Sequence, residues 1–146
     1  MKFISSPLKI IVIALLLISC SGQFKKVDEK KFEGVWELKG RDMFEGIEIK
    51  IAKEKDKWVG RVTKINSNKF IKLFSDSNDV WVSEIKRTSD FEFKLTEKKI
   101  AKELFALYGQ STSQEFKVQF IDDNTIGLTT ESSDPTKSTT IYKRKK

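Results

Sequence analysis

From Phe32 onward, apolar residues recur at every second position, and that period decides what the chain can become. Ile47, Ile49 and Ile51 alternate with Glu48 and Lys50. Phe91, Phe93 and Leu95 alternate with Glu92 and Lys94, and Phe116, Val118 and Phe120 with Lys117 and Gln119. Successive side chains of an extended chain point to opposite faces, so each of these segments has one apolar face and one wet face. That is the pattern of a half-buried antiparallel strand.

Eight segments read this way: 33–39, 46–53, 57–65, 79–87, 90–98, 113–121, 124–131 and 137–144. Within them, Trp58 and Val62 share a parity with Gly60 between, while Val80 and Val82 take one face and Trp81 and Ile85 the other. Polar turn residues fall between runs at Glu54–Asp56, Ser89-Asp90, Asp122–Asn124 and Ser132–Pro135. Short strands in series with hairpin links predict an all-β fold, an antiparallel up-and-down eight-stranded barrel or a strongly curled meander. A sandwich is the competing architecture. Two stretches depart from period two. Phe70, Leu73 and Phe74 sit at helix-like spacing within 66–79. Ile100, Leu104 and Tyr108 fall four apart, which fits a short amphipathic helix near 100–108 or a continuing strand.

The first residues follow another rule. Lys2 and Lys9 supply positive charge, and Ile10–Ile18 is an unbroken apolar run. Spanning a bilayer takes roughly 20 apolar residues, about twice this run. The single cysteine, Cys20, closes Leu17-Ile18-Ser19-Cys20. This motif resembles the lipobox of bacterial lipoproteins. The resemblance implies that residues 1–19 are a removed signal peptide and that Cys20 carries a diacylglycerol and at least two acyl chains such as palmitate. The membrane would then be a partner, and two chains anchor stably where one does not. Ser21 after Cys20 implies, by the same likeness, an outer-membrane site facing the periplasm. Residues 20–31 are polar and aperiodic and read as an acylated tether, with 32–146 as the domain. The eleven residues after Cys20 reach about 40 Å when extended.

Gly34-Val35-Trp36 on the first strand looks like the G-x-W signature of lipocalins. Trp58-Val59-Gly60-Arg61-Val62 and the closing Tyr142-Lys143-Arg144 extend the likeness to the small lipocalin-like lipoproteins of Bacteroidota, over about 110 residues. The resemblance implies structural roles for Gly34, Trp36 and Arg144, with Arg144 or Lys143 covering the Trp36 ring by a cation–π contact. The second and third conserved regions of large lipocalins are not recognisable.

Chemistry is sparse. The chain has no histidine, which removes the commonest general base and metal ligand. Acylation of Cys20 would leave no thiolate. Glu33, Glu37, Glu45 and Glu48 could offer a carboxylate pair, or simply the wet face of a sheet. Asp76–Asp79 and Asp122–Asn124 carry oxygen ligands without the spacing of a calcium loop. The expectation is a non-enzymatic protein without metal or cofactor. Eight aromatic residues remain: Trp36, Trp58, Trp81, Phe91, Phe93, Tyr108, Phe116 and Phe120. They either line a lumen for a small hydrophobic or amphipathic ligand or pack as core, since eight-stranded barrels do both. With a filled barrel, an envelope protein is the alternative partner.

The precursor carries a net charge of +7, and removal of 1–19 leaves 26 basic and 21 acidic side chains. The signs are interspersed, as in Lys53-Glu54-Lys55-Asp56-Lys57, and no aromatic-basic motif for nucleic acid is present. The one basic cluster, Lys143-Arg144-Lys145-Lys146, suits acidic headgroups or a solvated tail.

Overall fold

Each alternating run becomes a strand. In the computed structural model, which describes residues 25–130 and 132–146, they are β1 (Gly34–Lys39), β2 (Glu48–Glu54), β3 (Lys57–Lys64), β4 (Val80–Arg87), β5 (Glu92–Lys98), β6 (Ser113–Asp122), β7 (Thr125–Thr129) and β8 (Ile141–Arg144). Cys20, the leader and the start of the expected tether lie outside the described residues. Neighbours in sequence pair antiparallel all the way round, and β1 also pairs β8, with Trp36 opposite Arg144 and Leu38 opposite Tyr142. The sheet is a closed up-and-down barrel, and of the expected architectures the meander and the sandwich are set aside.

Both stretches that broke the period are helical: α1 (Lys69–Phe74) and α2 (Lys102–Leu107). The Asn68 side chain caps α1 by accepting from the Phe70 and Ile71 amides. Ala101 enters α2 in the left-handed region, φ 55°, without a side-chain cap. No helix among the described residues is long and apolar enough to cross a membrane.

The inward faces fill the barrel. Trp36, Leu38, Ile49, Ile51, Val62, Val82, Phe93, Leu95, Val118, Ile126, Leu128 and Tyr142 are buried in one cluster. The close fit shows at Gly60, where an added Cβ would stand 3.0 Å from the Val82 Cβ and 3.1 Å from the Ile49 methyl. β4 departs from simple alternation. Its register slips against β3 beside Gly60 and against β5 between Val82 and Glu84. Such bulges re-aim side chains. Trp81 and Val82 are therefore both buried, along with Ile85, instead of taking opposite faces.

The two ends of the barrel differ. The β2–β3, β4–β5 and β6–β7 hairpins form one end, and the 3-10 turn Glu29–Phe32 closes it. Asp28 caps this turn, Phe32 is buried edge-on against Phe93 at 4.8 Å, and the Trp36 indole donates to the Phe32 carbonyl at 2.8 Å. Val27 is held by the Asp90 carbonyl and by Arg87, and Glu29 pairs with Arg87 at 3.2 Å. The last residues of the expected tether, from Val27, thus lie on the barrel wall. Three residues of the basic cluster are likewise engaged on the barrel. Lys143 donates to Thr125, Arg144 covers Trp36, and Lys145 pairs with Glu37 and Glu48. At the opposite end the β1–β2, β3–β4 and β5–β6 connections carry a 3-10 turn (Asp42–Phe44), α1 and α2, and leave a cleft between them.

Candidate functional site

The cleft takes its walls from three connections. Arg41 and Phe44 come from the β1–β2 loop, Phe70 from α1, and Ile100, Ala101, Leu104 and Phe105 from the segment entering and forming α2. Strand ends supply the floor, with Trp81 from β4, Glu97 from β5 and Gln114 from β6. The cavity measures about 320 Å³ and is mostly apolar. Its aromatic wall is organised, since the Phe44 ring meets Trp81 at 5.5 Å and 70°.

A buried polar chain lies under it. Phe93, Leu95 and Glu97 share the inward parity of β5, so the third inward position carries a carboxylate that is only 3% exposed. A buried charge must be paired. Arg41 Nη1 donates to Glu97 Oε2 at 2.6 Å, and the Tyr142 hydroxyl donates to Glu97 Oε1. That hydroxyl in turn accepts from Trp81 Nε1 at 2.9 Å. The Arg41 guanidinium also lies 4.7 Å from the Phe44 centroid and 5.2 Å from that of Phe116. Burial, then the Glu97 charge, then its hydrogen bond push the Tyr142 phenol well above its ordinary range, so Tyr142 stays a donor. Among the described residues the chain leaves no buried side-chain polar atom without a partner. What it can do is orient a polar group at the base of an apolar cleft.

A second cavity of about 360 Å³ adjoins the first, sharing Trp81, Lys98, Lys99, Ile100 and Ala101. Its lining is polar and includes Arg61, Asp79, Lys102 and Glu103.

Of the eight aromatic residues read from the sequence as candidate lining, Trp81 lines the cleft. Phe116 faces the same side through Arg41. Trp36, Phe93 and Phe120 pack around Phe32 at the closed end, and Trp58 is buried there with its indole donating to Glu29 at 3.4 Å. Phe91 and Tyr108 are exposed, on the β4–β5 hairpin and at the end of α2. Gly34, Trp36 and Arg144 come together. Gly34 has φ +139°, and a Cβ there would stand 2.7 Å from the Arg144 guanidinium. Cys20 falls outside the described residues.

The early carboxylates do not converge on the cleft as a pair. Glu37 and Glu48 are cross-strand partners with Lys145 held 3.4 Å from each, and Glu45 accepts from the Gly40 amide. The two acidic turns are closed by their own side chains, Asp79 accepting from the Asp76 amide and Asp122 from the Asn124 amide. Among the described residues no group of three potential ligands is placed to hold a metal. Sequence reading missed Arg41 and Glu97. Arg41 sits in a loop without periodicity. Glu97 did carry a signal, a charge continuing an apolar parity.

No protein-family model, curated protein or solved structure matches the chain. Its class is what the fold and cleft define: a closed eight-stranded antiparallel barrel with a packed interior and one apolar cleft at its open mouth.

Proposed function

We propose that the chain is a lipid-anchored, non-enzymatic, lipocalin-like barrel of a bacterial envelope that binds a small apolar or amphipathic molecule in the open-end cleft. One observation carries the reading: an apolar cavity of about 320 Å³ with a few convergent polar groups at its floor. That is the composition of small-molecule sites. Ligand area buried against Phe44, Phe70, Trp81, Leu104 and Phe105 supplies the affinity, and Arg41, Glu97 and Gln114 supply orientation. The packed interior keeps the ligand at the mouth. The Gly34–Trp36–Arg144 arrangement supports the lipocalin-like assignment, and the Leu17-Ile18-Ser19-Cys20 motif supports the anchor. Native mass spectrometry of the protein released from membranes tests the binding. A bound mass that Phe70→Glu or Leu104→Glu removes is expected, and its absence from repeated preparations overturns the reading. Cys20→Ser is expected to release the protein from membranes, and continued sedimentation would refute the anchor.

A second reading, a barrel that docks an envelope protein, is favoured by the outer rim. Leu73, Leu107 and Tyr108 are 74%, 80% and 81% exposed there. Site-specific crosslinking from position 107 in intact cells would trap a partner if this reading holds.

A further inference from the structure

The polar cavity beside the apolar cleft is the part that ligand burial leaves without a purpose. Three lysines edge it: Lys98, Lys99 and Lys102. Among the described residues none of these three forms an ion pair within the barrel. Lys98 and Lys99 are moreover only partly exposed. The Lys99 ammonium lies 4.8 Å from the centroid of Phe105, a ring of the apolar lobe, so this charge sits where the two lobes meet. Two acids share the cavity. Asp79 is engaged by the Asp76 amide, and Glu103 makes no ion pair among the described residues. The lysines thus outnumber the acids where an apolar slot and a polar slot share the Lys98–Ala101 segment as a common wall.

We infer that the cleft takes a single-chain anionic amphiphile, its chain against Phe44, Phe70, Trp81 and Leu104 and its carboxylate or phosphate head against Lys98, Lys99 and Lys102. This rests on the small-ligand reading above and adds the charge of the ligand to it. The two lobes divide the work. The apolar one desolvates the chain, and the head stays partly hydrated among flexible ammonium groups, which bind anions as point charges rather than by a fixed fork. Because the head lies near solvent, salt screens its contribution.

The test uses the full chain bearing Cys20→Ser, so that it carries no acyl group of its own, and displacement of a polarity-sensitive fluorophore. Dodecanoate, dodecyl phosphate and dodecanol are compared below the micellar concentrations of the two anions and the solubility limit of the alcohol. The two anions are expected to bind about ten-fold or more tighter than dodecanol, as charge-assisted contacts imply. That advantage should shrink to about two-fold in half-molar salt. Lys98→Gln, Lys99→Gln and Lys102→Gln combined should remove the advantage while leaving dodecanol affinity unchanged, which also shows that the variant is folded. Tighter binding of dodecyl phosphate assigns a phosphate head, and tighter binding of dodecanoate a free fatty acid. Equal affinity for all three compounds, or an anion preference that survives the triple substitution, overturns the inference and leaves the apolar site standing. Failure of all three to bind removes the small-ligand reading itself.

Discussion

The Arg144 guanidinium lies 4.2 Å from the centroid of the Trp36 ring and ties the last strand of the barrel to the first. It also donates to the Glu33 carbonyl at 2.8 Å and to the Lys31 carbonyl at 2.6 Å, so one side chain covers the indole and satisfies the turn that closes this end. Arg144→Ala is expected to cost about 2 kcal/mol, from the charge-assisted hydrogen bonds and the cation–π contact together. Arg144→Lys should recover less than half, because an ammonium cannot span both carbonyls. Urea denaturation of the two variants checks this, and equal stability of Lys and Ala would count against a geometric role for the fork.

Tyr142 is expected to set an alkaline limit. Burial and then the Glu97 charge raise its folded-state pKa well above the ordinary value of 10.0. The native state therefore holds the proton where the unfolded chain releases it. The contribution is complete below a pH of about 10 and is lost as pH rises from there toward the folded value. Tyr108→Phe leaves Tyr142 as the one tyrosine. Its phenolate absorbance should then appear together with loss of the circular-dichroism signal. Ionisation at ordinary pH in a folded chain would contradict the buried placement.

The Arg41–Glu97 pair predicts an asymmetry. Arg41→Ala leaves a carboxylate buried with Tyr142 as its one neutral donor, at an expected cost of about 3 kcal/mol. Replacing both partners by neutral groups, Arg41→Met with Glu97→Gln, should cost about 1 kcal/mol or less, because no charge stays behind and the amide carbonyl still accepts from the Tyr142 hydroxyl. Thermal and urea unfolding of the single and double variants measure the difference. A double variant as unstable as the single would show that packing, not charge, holds this mouth of the barrel.

Two glycines should respond differently to alanine. At Gly127 an added Cβ would sit 1.9 Å from the Pro135 carbonyl oxygen, where the Pro135–Lys137 turn packs on the outer face of β7. Backbone must move, and Gly127→Ala is expected to cost about 2–3 kcal/mol. Gly109 has φ +68° with nothing within 4 Å of the added atom, so Gly109→Ala carries only the left-handed penalty of about 1 kcal/mol. Denaturation midpoints should rank the variants in that order.

The strands were legible because a half-buried sheet writes its geometry into alternate residues. Ile47, Ile49 and Ile51 are all fully buried, and Glu48 and Lys50 between them are not. Closure was partly legible as well, since Gly34, Trp36 and Arg144 stood in the sequence as a recognisable set. The cleft was not. Arg41, Phe44, Phe70 and Phe105 lie in connections, where nothing periodic marks which side chain turns inward. The bulges around Trp81 were hidden too, because a register slip depends on the neighbouring strand rather than on local sequence. Exposed Tyr108 and buried Trp36 look alike as aromatic letters and differ only in where tertiary packing puts them.

The pairing of β8 with both β1 and β7 bears on how the molecule comes into being. Until residues 141–144 are made, β1 and β7 are open edges, each offering unpaired amides and carbonyls to any extended chain nearby. A nascent or truncated chain therefore has an unfinished sheet rather than a smaller barrel. The four residues of β8 convert it from a template for aggregation into a ring without edges.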